Sequence, residues 1–367
     1  MPAIKKLTIA GYKSIRELRD FELCNLNVLI GANGAGKSNF IGFFRMLAEM
    51  YEQRLQLYVQ RQGGPDALLH FSRKTTDRIR AELYFSGENA FDGTYSFELV
   101  PTQDNRLVFA DEQVRHAGAG AAPGERHFAL GFGHTESHVK SSELKFPIDA
   151  QPTLGSWRVY HFHDTSDNAK LKQAHAVNDT LRLKEDGANL AAYLRMLCIK
   201  HSEHYRLIVQ TIRSVAPFFD NFVHRDDGAE TVELEWLDKG DPDTPVKAHR
   251  LSDGTLRFMC LATLLLQPWQ LMPDCILIDE PELGLHPYAV NLLADLLKRA
   301  SERKQVIVST QSVELINCLE PADIVVIDRK DNASTFSRVD AAALADWLED
   351  YSLGELWKTN VLGGRPA

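Results

Sequence analysis

The sequence predicts an α/β fold: a mainly parallel sheet with helices on both faces, an antiparallel β subdomain and an inserted helical lobe. Three observations carry this. An apolar run of strand length, residues 26–30, enters a glycine-rich loop that opens a helix. Towards the other end, apolar runs at 275–278, 306–309 and 324–327 alternate with helical patterns at 256–266 and 288–300. That alternation marks a parallel sheet buried on both sides. Between these regions, residues 80–85, 95–100 and 106–110 alternate apolar and polar side chains, with turn residues separating them.

In chain order, residues 6–10 alternate and predict a first strand, and Gly11-Tyr12-Lys13-Ser14 turns the chain. Phe40, Phe43, Phe44, Leu47 and Met50 recur at helical spacing, so 38–58 reads as one helix, broken by Gly63-Gly64-Pro65. Residues 115–150, rich in Gly, Ala, Ser and His, read as loop. Residues 157–162 read as a strand. Leu190, Tyr193, Leu194, Leu197, Leu207, Ile208 and Ile212 place a helix over 189–222, ended or kinked at Pro217. Residues 232–237 read as a strand. No repeat and no sustained heptads are present. The expected division is an N-terminal half (1–110), an inserted loop-rich and helical lobe (111–250) and a C-terminal half (251–367).

The 367 residues are 44% hydrophobic and 25% charged, which excludes disorder as the main state. Lys and Arg total 41 against 50 Asp and Glu, a net charge of −9. Bulk coating of nucleic acid is excluded on that balance, leaving only a local patch such as Lys5, Lys6, Lys13, Arg16 and Arg19. No run approaches the ~18–20 apolar residues of a membrane span, and the N-terminus carries no apolar signal core. Cys24, Cys198, Cys260, Cys275 and Cys318 are scattered and form no C-x-x-C pair. They read as small core residues of a reduced, cytoplasmic protein.

Gly31-Ala32-Asn33-Gly34-Ala35-Gly36-Lys37-Ser38 matches G-x-x-x-x-G-K-[ST] in the strand–loop–helix frame the motif needs. Backbone N–H groups from Asn33, Gly34, Ala35 and Gly36 through Lys37, Ser38 and Asn39 would curl around phosphates at the positive end of a helix. Lys37 would reach the β- and γ-phosphates of ATP, and the Ser38 hydroxyl would bind Mg²⁺. This predicts a P-loop NTPase. The second piece is Cys275-Ile276-Leu277-Ile278-Asp279-Glu280, an apolar strand ending in two acids at the edge where α/β sheets bind ligands. Asp279 would hold Mg²⁺, and Glu280 would orient and deprotonate the attacking water.

Leu251-Ser252-Asp253-Gly254-Thr255 precedes an apolar helix, with Ser252 27 residues before Asp279. It resembles the L-S-G-G-Q signature of ABC-type ATPases. Glu280-Pro281-Glu282-Leu283-Gly284-Leu285-His286-Pro287 narrows the likeness to the branch with RecF, the OLD nucleases and Rad50/SMC-like ATPases, and most to compact bacterial AAA/ABC ATPases. The resemblance is strong over residues 1–50 and 250–330. It implies an ABC-type head in which Ser252, Asp253, Gly254 and Thr255 of one protomer complete the nucleotide site of another, so ATP binding drives homodimerisation. It also implies that Lys13 and Ser14 approach the nucleotide, and that the loop with Glu282 and His286 crosses to the partner. In Val308-Ser309-Thr310-Gln311-Ser312, Gln311 stands where the family usually has a His that touches the γ-phosphate. A glutamine can donate to phosphate but cannot become cationic. Gln53, Gln56, Gln60 and Gln62 are equal candidates for the glutamine that couples metal site to helical lobe. His161 and His163 share a strand face, but without further ligands they read as structural.

The expected function is an ATP hydrolase using Mg²⁺, whose head dimerisation controls a nearby-encoded protein effector in DNA repair or anti-phage defence. Local nucleic-acid contact is allowed and a membrane is not. The alternatives are a nucleotide-binding scaffold that hydrolyses slowly and the ATP-binding subunit of a transporter. The 40 residues after 324–327 are too few for a nuclease domain of ordinary size.

Overall fold

Two six-stranded sheets organise the computed structural model, which describes residues 3–86, 92–117, 125–140, 155–225 and 227–364. The antiparallel sheet contains β1 (Ala3–Tyr12), β2 (Ile15–Glu22), β4 (Ile79–Ser86), β5 (Asp92–Pro101), β6 (Leu107–Ala117) and β7 (Glu125–Gly131), in the order β2-β1-β4-β5-β6-β7. The second sheet contains β3 (Leu26–Ile30), β8 (Arg158–Tyr160), β14 (Cys275–Asp279), β15 (Gln305–Ser309), β16 (Ile324–Lys330) and β17 (Ala333–Arg338). Its order is β17-β16-β3-β15-β14-β8. All its pairs are parallel except the β16–β17 edge.

Both faces of the parallel sheet are buried, and the period of two decides which core each side chain joins. Leu29, Cys275, Leu277, Ile307, Val325 and Ile327 face the antiparallel sheet and the Lys37–Tyr51 helix. Val28, Ile30, Ile276, Ile278, Val306, Val308, Ile324 and Val326 face the other core. That core is closed by the helices Leu190–Lys200, Ser202–Val215, Asp253–Leu266 and Pro287–Ser301. Phe40, Phe43 and Phe44 are fully buried. Removing any of these rings costs about 3–5 kcal/mol in a core of this kind.

Four local expectations change. The 38–58 helix is two helices, Lys37–Tyr51 and Leu55–Arg61, because Gln53 takes φ 55° between them. The Glu136 carboxylate then accepts from the Leu55 and Gln56 N–H groups at 2.7 and 3.0 Å, capping the second helix from a distant loop. The 189–222 helix is likewise split at His201, and Phe219–Val223 (β10) is strand. β10 pairs with β12 (Glu235–Asp238), which pairs with β13 (Asp241–Lys247), a proline-containing edge that periodicity did not signal. β9 (His175–Ala176) and β11 (Thr231–Val232) form a two-stranded ribbon. Within the expected 115–150 loop, residues 115–117 and 125–131 belong to β6 and β7, while 118–124 and 141–154 lie outside the described residues. The expected boundary at residue 110 falls inside β6, and the 111–250 segment supplies β8 to the parallel sheet.

One His/Glu cluster among the described residues has atoms close enough to hold a metal: Glu112, His134 and His138. Glu112 is fully buried, and donors already fill it. They are Tyr95 OH at 2.7 Å, Ser137 Oγ at 2.5 Å and the His138 N–H at 3.0 Å, with His134 Nε2 2.9 Å away. The Glu112 carboxylate is thus held in a polar network within the β subdomain, although His134 Nδ1 is buried there without a partner.

Candidate active site

The phosphate loop is built by close backbone approach. A Cβ on Gly31 would lie 2.2 Å from the Ile327 carbonyl oxygen, and one on Gly36 would lie 2.1 Å from Ser334 Oγ. The Lys37–Tyr51 helix starts with Gly36 as N-cap, no side chain caps it, and its first turn holds no acid. Its opening N–H groups are therefore available to an anion. Lys37 is buried, and its Nζ donates to the carbonyls of Gly31 and Ala32, the latter at 3.1 Å. Burial holds its pKa below the usual lysine value, against the opposing pull of Glu280, Asp279 and Glu282.

The β1–β2 turn is pinned to this loop. Asn39 Nδ2 donates to Ser14 Oγ at 2.7 Å, and the Ser334 hydroxyl lies between Ser14 Oγ (2.7 Å) and the Ala35 carbonyl (2.5 Å). Ser334, on β17, had no motif to announce it. Lys13 takes φ 46°, and its Nζ donates to Gln62 Oε1 at 3.0 Å. Burial, then the nearby Arg45, lowers its pKa. Among the four candidate glutamines, Gln62 is thus held beside Lys13. Gln56 is committed elsewhere, with Nε2 donating to the Leu107 and Thr135 carbonyls at 2.8 and 2.7 Å.

β14 delivers Asp279 and Glu280 to the same sheet edge as the loop after β3. Ser309 Oγ donates to Asp279 Oδ1 at 2.5 Å. Glu280 takes φ 45°, a left-handed conformation unusual for a side-chain-bearing residue, and its N–H donates to the Ser309 carbonyl at 2.8 Å. Strain of this kind collects at functional positions. Gln311 Nε2 donates to Glu280 Oε1 at 2.7 Å, so the residue in the histidine position grips the expected base. Glu282, in the loop expected to reach a partner, turns its side chain inward. Its Oε1 accepts from Thr310 Oγ1 at 2.5 Å and from the Gln311 N–H at 3.1 Å. Its Oε2 is buried without a partner, and burial pushes the carboxyl up. His286 is a helix cap, with Nδ1 accepting from the Tyr288 N–H at 3.3 Å.

Ser252 caps the Asp253–Leu266 helix by accepting from the Thr255 N–H at 3.2 Å, and Ser252 and Asp253 are exposed. A Cβ on Gly254 would lie 2.1 Å from the Gly284 carbonyl oxygen, so the signature helix and the loop after β14 cross glycine on glycine. None of the side-chain hydrogen bonds of residues 252–255 reaches the 31–39 loop. Arg257 ties the helix to its surroundings, donating to the Leu283 and His163 carbonyls at 2.8 and 2.9 Å. Because β8 pairs with β14, His161 and His163 emerge at this same edge. His163 Nε2 lies 3.0 Å from the Asp279 carbonyl, and His161 Nε2 lies against the Arg45 guanidinium. Burial, then Arg45 and His163, pulls the His161 pKa down to about 4. A cation against its ring nitrogen does not suit a metal pair with His163.

The donor set around the loop suits Mg²⁺. The Ser38 hydroxyl and the Asp279 carboxylate are hard oxygens.

The fold is that of a P-loop NTPase head, similar to the heads of Smc proteins. Residues 26–317 match the family described as "AAA domain, putative AbiEii toxin, Type IV TA system", and the chain belongs to that family. A "Putative ABC transporter ATP-binding protein" of Methanosarcina acetivorans is 34% identical over 98 residues, which are 26% of this chain and 33% of that protein. The match therefore spans about a third of that relative's length. An SmcHead bound to the C-winged helix domain of ScpA superposes with TM-score 0.62 at 16% identity, covering 93% of this chain and 99% of that one. An Smc head domain derived from Pyrococcus furiosus, with an extended coiled coil and bound to the C-terminal domain of ScpA, gives 0.61 at 15% identity, covering 95% and 99%. At such identities the likeness is one of fold. Among the described residues no helix is long and apolar enough to cross a membrane.

Proposed function

We propose that this chain hydrolyses ATP with Mg²⁺ and that two copies close around two nucleotides, each copy's residues 252–255 completing the other's site. One observation carries the reading. The uncapped helix start at Lys37, the Asp279–Glu280 pair and Gln311 converge on one sheet edge, whereas Ser252 and Asp253 of the signature sit exposed at the start of a separate helix. Lys37 would leave the loop carbonyls for the β- and γ-phosphates. Ser38 and Asp279 would hold Mg²⁺, which supplies charge neutralisation at the phosphate oxygens when bound. Glu280, with one oxygen held by Gln311, would take the water proton on the other. Ser14 and Asn39, already joined, would flank the nucleotide.

Movement of the two heads would then act on a protein effector, and the family's description as a toxin of a toxin–antitoxin system favours defence over repair. A nucleic-acid role is less favoured. In the basic N-terminal segment, Lys6 lies 3.6 Å from Glu22, Arg19 Nη2 lies 2.5 Å from Glu17, and Lys13 is held by Gln62. The segment after Glu280 departs from the transporter pattern, which weighs against a permease partner. The test is light scattering of Glu280→Gln with and without Mg-ATP, alongside phosphate release by the unmodified chain. A doubled mass with ATP and measurable release are expected. An unchanging monomer sinks the sandwich, and dimerisation without release leaves the slow scaffold, a reading Gln311 keeps in play.

A further inference from the structure

The C-terminal segment touches the phosphate loop and the helix that follows Gln311. The Leu353–Lys358 helix, closed at its start by a reciprocal Ser352–Glu355 cap, lies on the Val313–Asn317 helix that directly follows Gln311 and Ser312. The fit is tight. A Cβ on Gly354 would meet Val313 Cγ1 and Asn317 Oδ1, each at 2.6 Å, and the Gly354 N–H donates to Asn317 Oδ1 at 2.7 Å. The helix ends in a Schellman turn. Asn360 takes φ 64°, its N–H donates to the Trp357 carbonyl at 3.0 Å, and the Val361 N–H donates to the Leu356 carbonyl at 2.9 Å. The chain then passes through Gly363 (φ 82°) and Gly364 (φ 78°). There the N–H of Ala32, second residue of the phosphate loop, donates to the Gly364 carbonyl at 2.6 Å. A Cβ on Gly364 would lie 2.9 Å from Val326 Cγ1 and 3.3 Å from Gly31 Cα, so only glycine lets the tail come this close.

We propose that residues 352–364 form a positioning strap, anchored on the Val313–Asn317 helix through Gly354 and on the phosphate loop through Gly364, which keeps the phosphate loop and the Gln311 segment in register. Its functional half rests on the nucleotide-site reading above; its structural half does not. A loop held before the ligand arrives binds without the cost of ordering it. Linkage makes the effect reciprocal, so nucleotide must tighten the strap by as much as the strap tightens nucleotide. Gly364 touches none of the residues expected to meet phosphate, so its effect is on affinity more than on turnover.

The test uses the full chain, Gly364→Val, a chain stopped after Val361, and, as control, Leu181→Ser, exposed and outside both the strap and the candidate site. Hydrogen exchange of the phosphate-loop peptide, measured without nucleotide, should quicken in the first two variants and not in the control. The KM for ATP should rise about fivefold to tenfold in both, the scale of one lost ordering contact, with kcat within about twofold and the melting temperature nearly unchanged. Unchanged exchange and KM in both variants overturn the strap. So does a fall in melting temperature that tracks the KM rise, because the segment would then be general support. If the unmodified chain binds no nucleotide, the nucleotide-site reading fails and the exchange result alone decides the strap.

Discussion

Gln311 concentrates the chemistry at the residue scale. Its amide nitrogen lies 2.7 Å from Glu280 Oε1, and its backbone N–H is held at 3.1 Å by Glu282. The buried Glu282 thus fixes the main chain of a residue whose side chain holds the proposed base. An amide can orient a carboxylate without placing a full positive charge beside it. Gln311→Ala should therefore reduce kcat roughly tenfold, the size of a lost positioning contact to a general base, and leave the KM for ATP within about twofold. Steady-state phosphate release over a range of ATP concentrations reads both. Equal loss in KM would mean Gln311 only helps bind nucleotide. The departure at 311 was legible in the sequence, but its consequence was not. Nor was the inward turn of Glu282, since hydrogen bonds across 28 or 29 positions leave no periodic trace.

At the scale of elements, long runs with a strong period were legible. The 26–30 strand is found as read, and the 256–266, 288–300 and 306–309 segments each extend by one to three residues. What escaped were features decided by distant partners. The break at Gln53 is one. Helical spacing continues through it, yet the second helix starts afresh because Glu136, some 80 residues on, supplies its N-terminal acceptors. Glu136→Ala should cost about 1–2 kcal/mol of stability, the usual worth of a lost cap, read from the shift of a urea midpoint at constant slope. A neutral result would mean that water replaces the carboxylate there. β13, with two prolines and an exposed edge, and β7, preceded by a Gly/Ala-rich run, escaped for the opposite reason: strand pairing held segments whose own composition reads as loop.

For the whole molecule, the question is whether one copy contains a complete site. Its phosphate loop, carboxylate pair and Gln311 lie together, while Ser252 caps its own helix and, with Asp253, is exposed. Loops, caps and a glycine crossing can all be satisfied inside one copy, so stability alone does not distinguish a monomeric ATPase from half of a composite one. Mixing two inactive variants does. Lys37→Ala removes the ammonium from one site while leaving that copy's signature intact. Ser252→Arg blocks the signature while leaving that copy's phosphate loop intact. Each alone should release almost no phosphate. Random pairing makes half the dimers mixed, and in each mixed dimer one site has a good loop facing a good signature. The mixture should therefore recover about a quarter of normal turnover if sites act independently in a two-fold dimer. Strict coupling between the sites would leave that recovery near zero, so mass is measured on the same samples with ATP. Dimers without recovered turnover mean coupled sites. No dimers, with Ser252→Arg alone as active as the unmodified chain, mean that each copy works alone, and that the exposed Ser252 and Asp253 serve only their own helix.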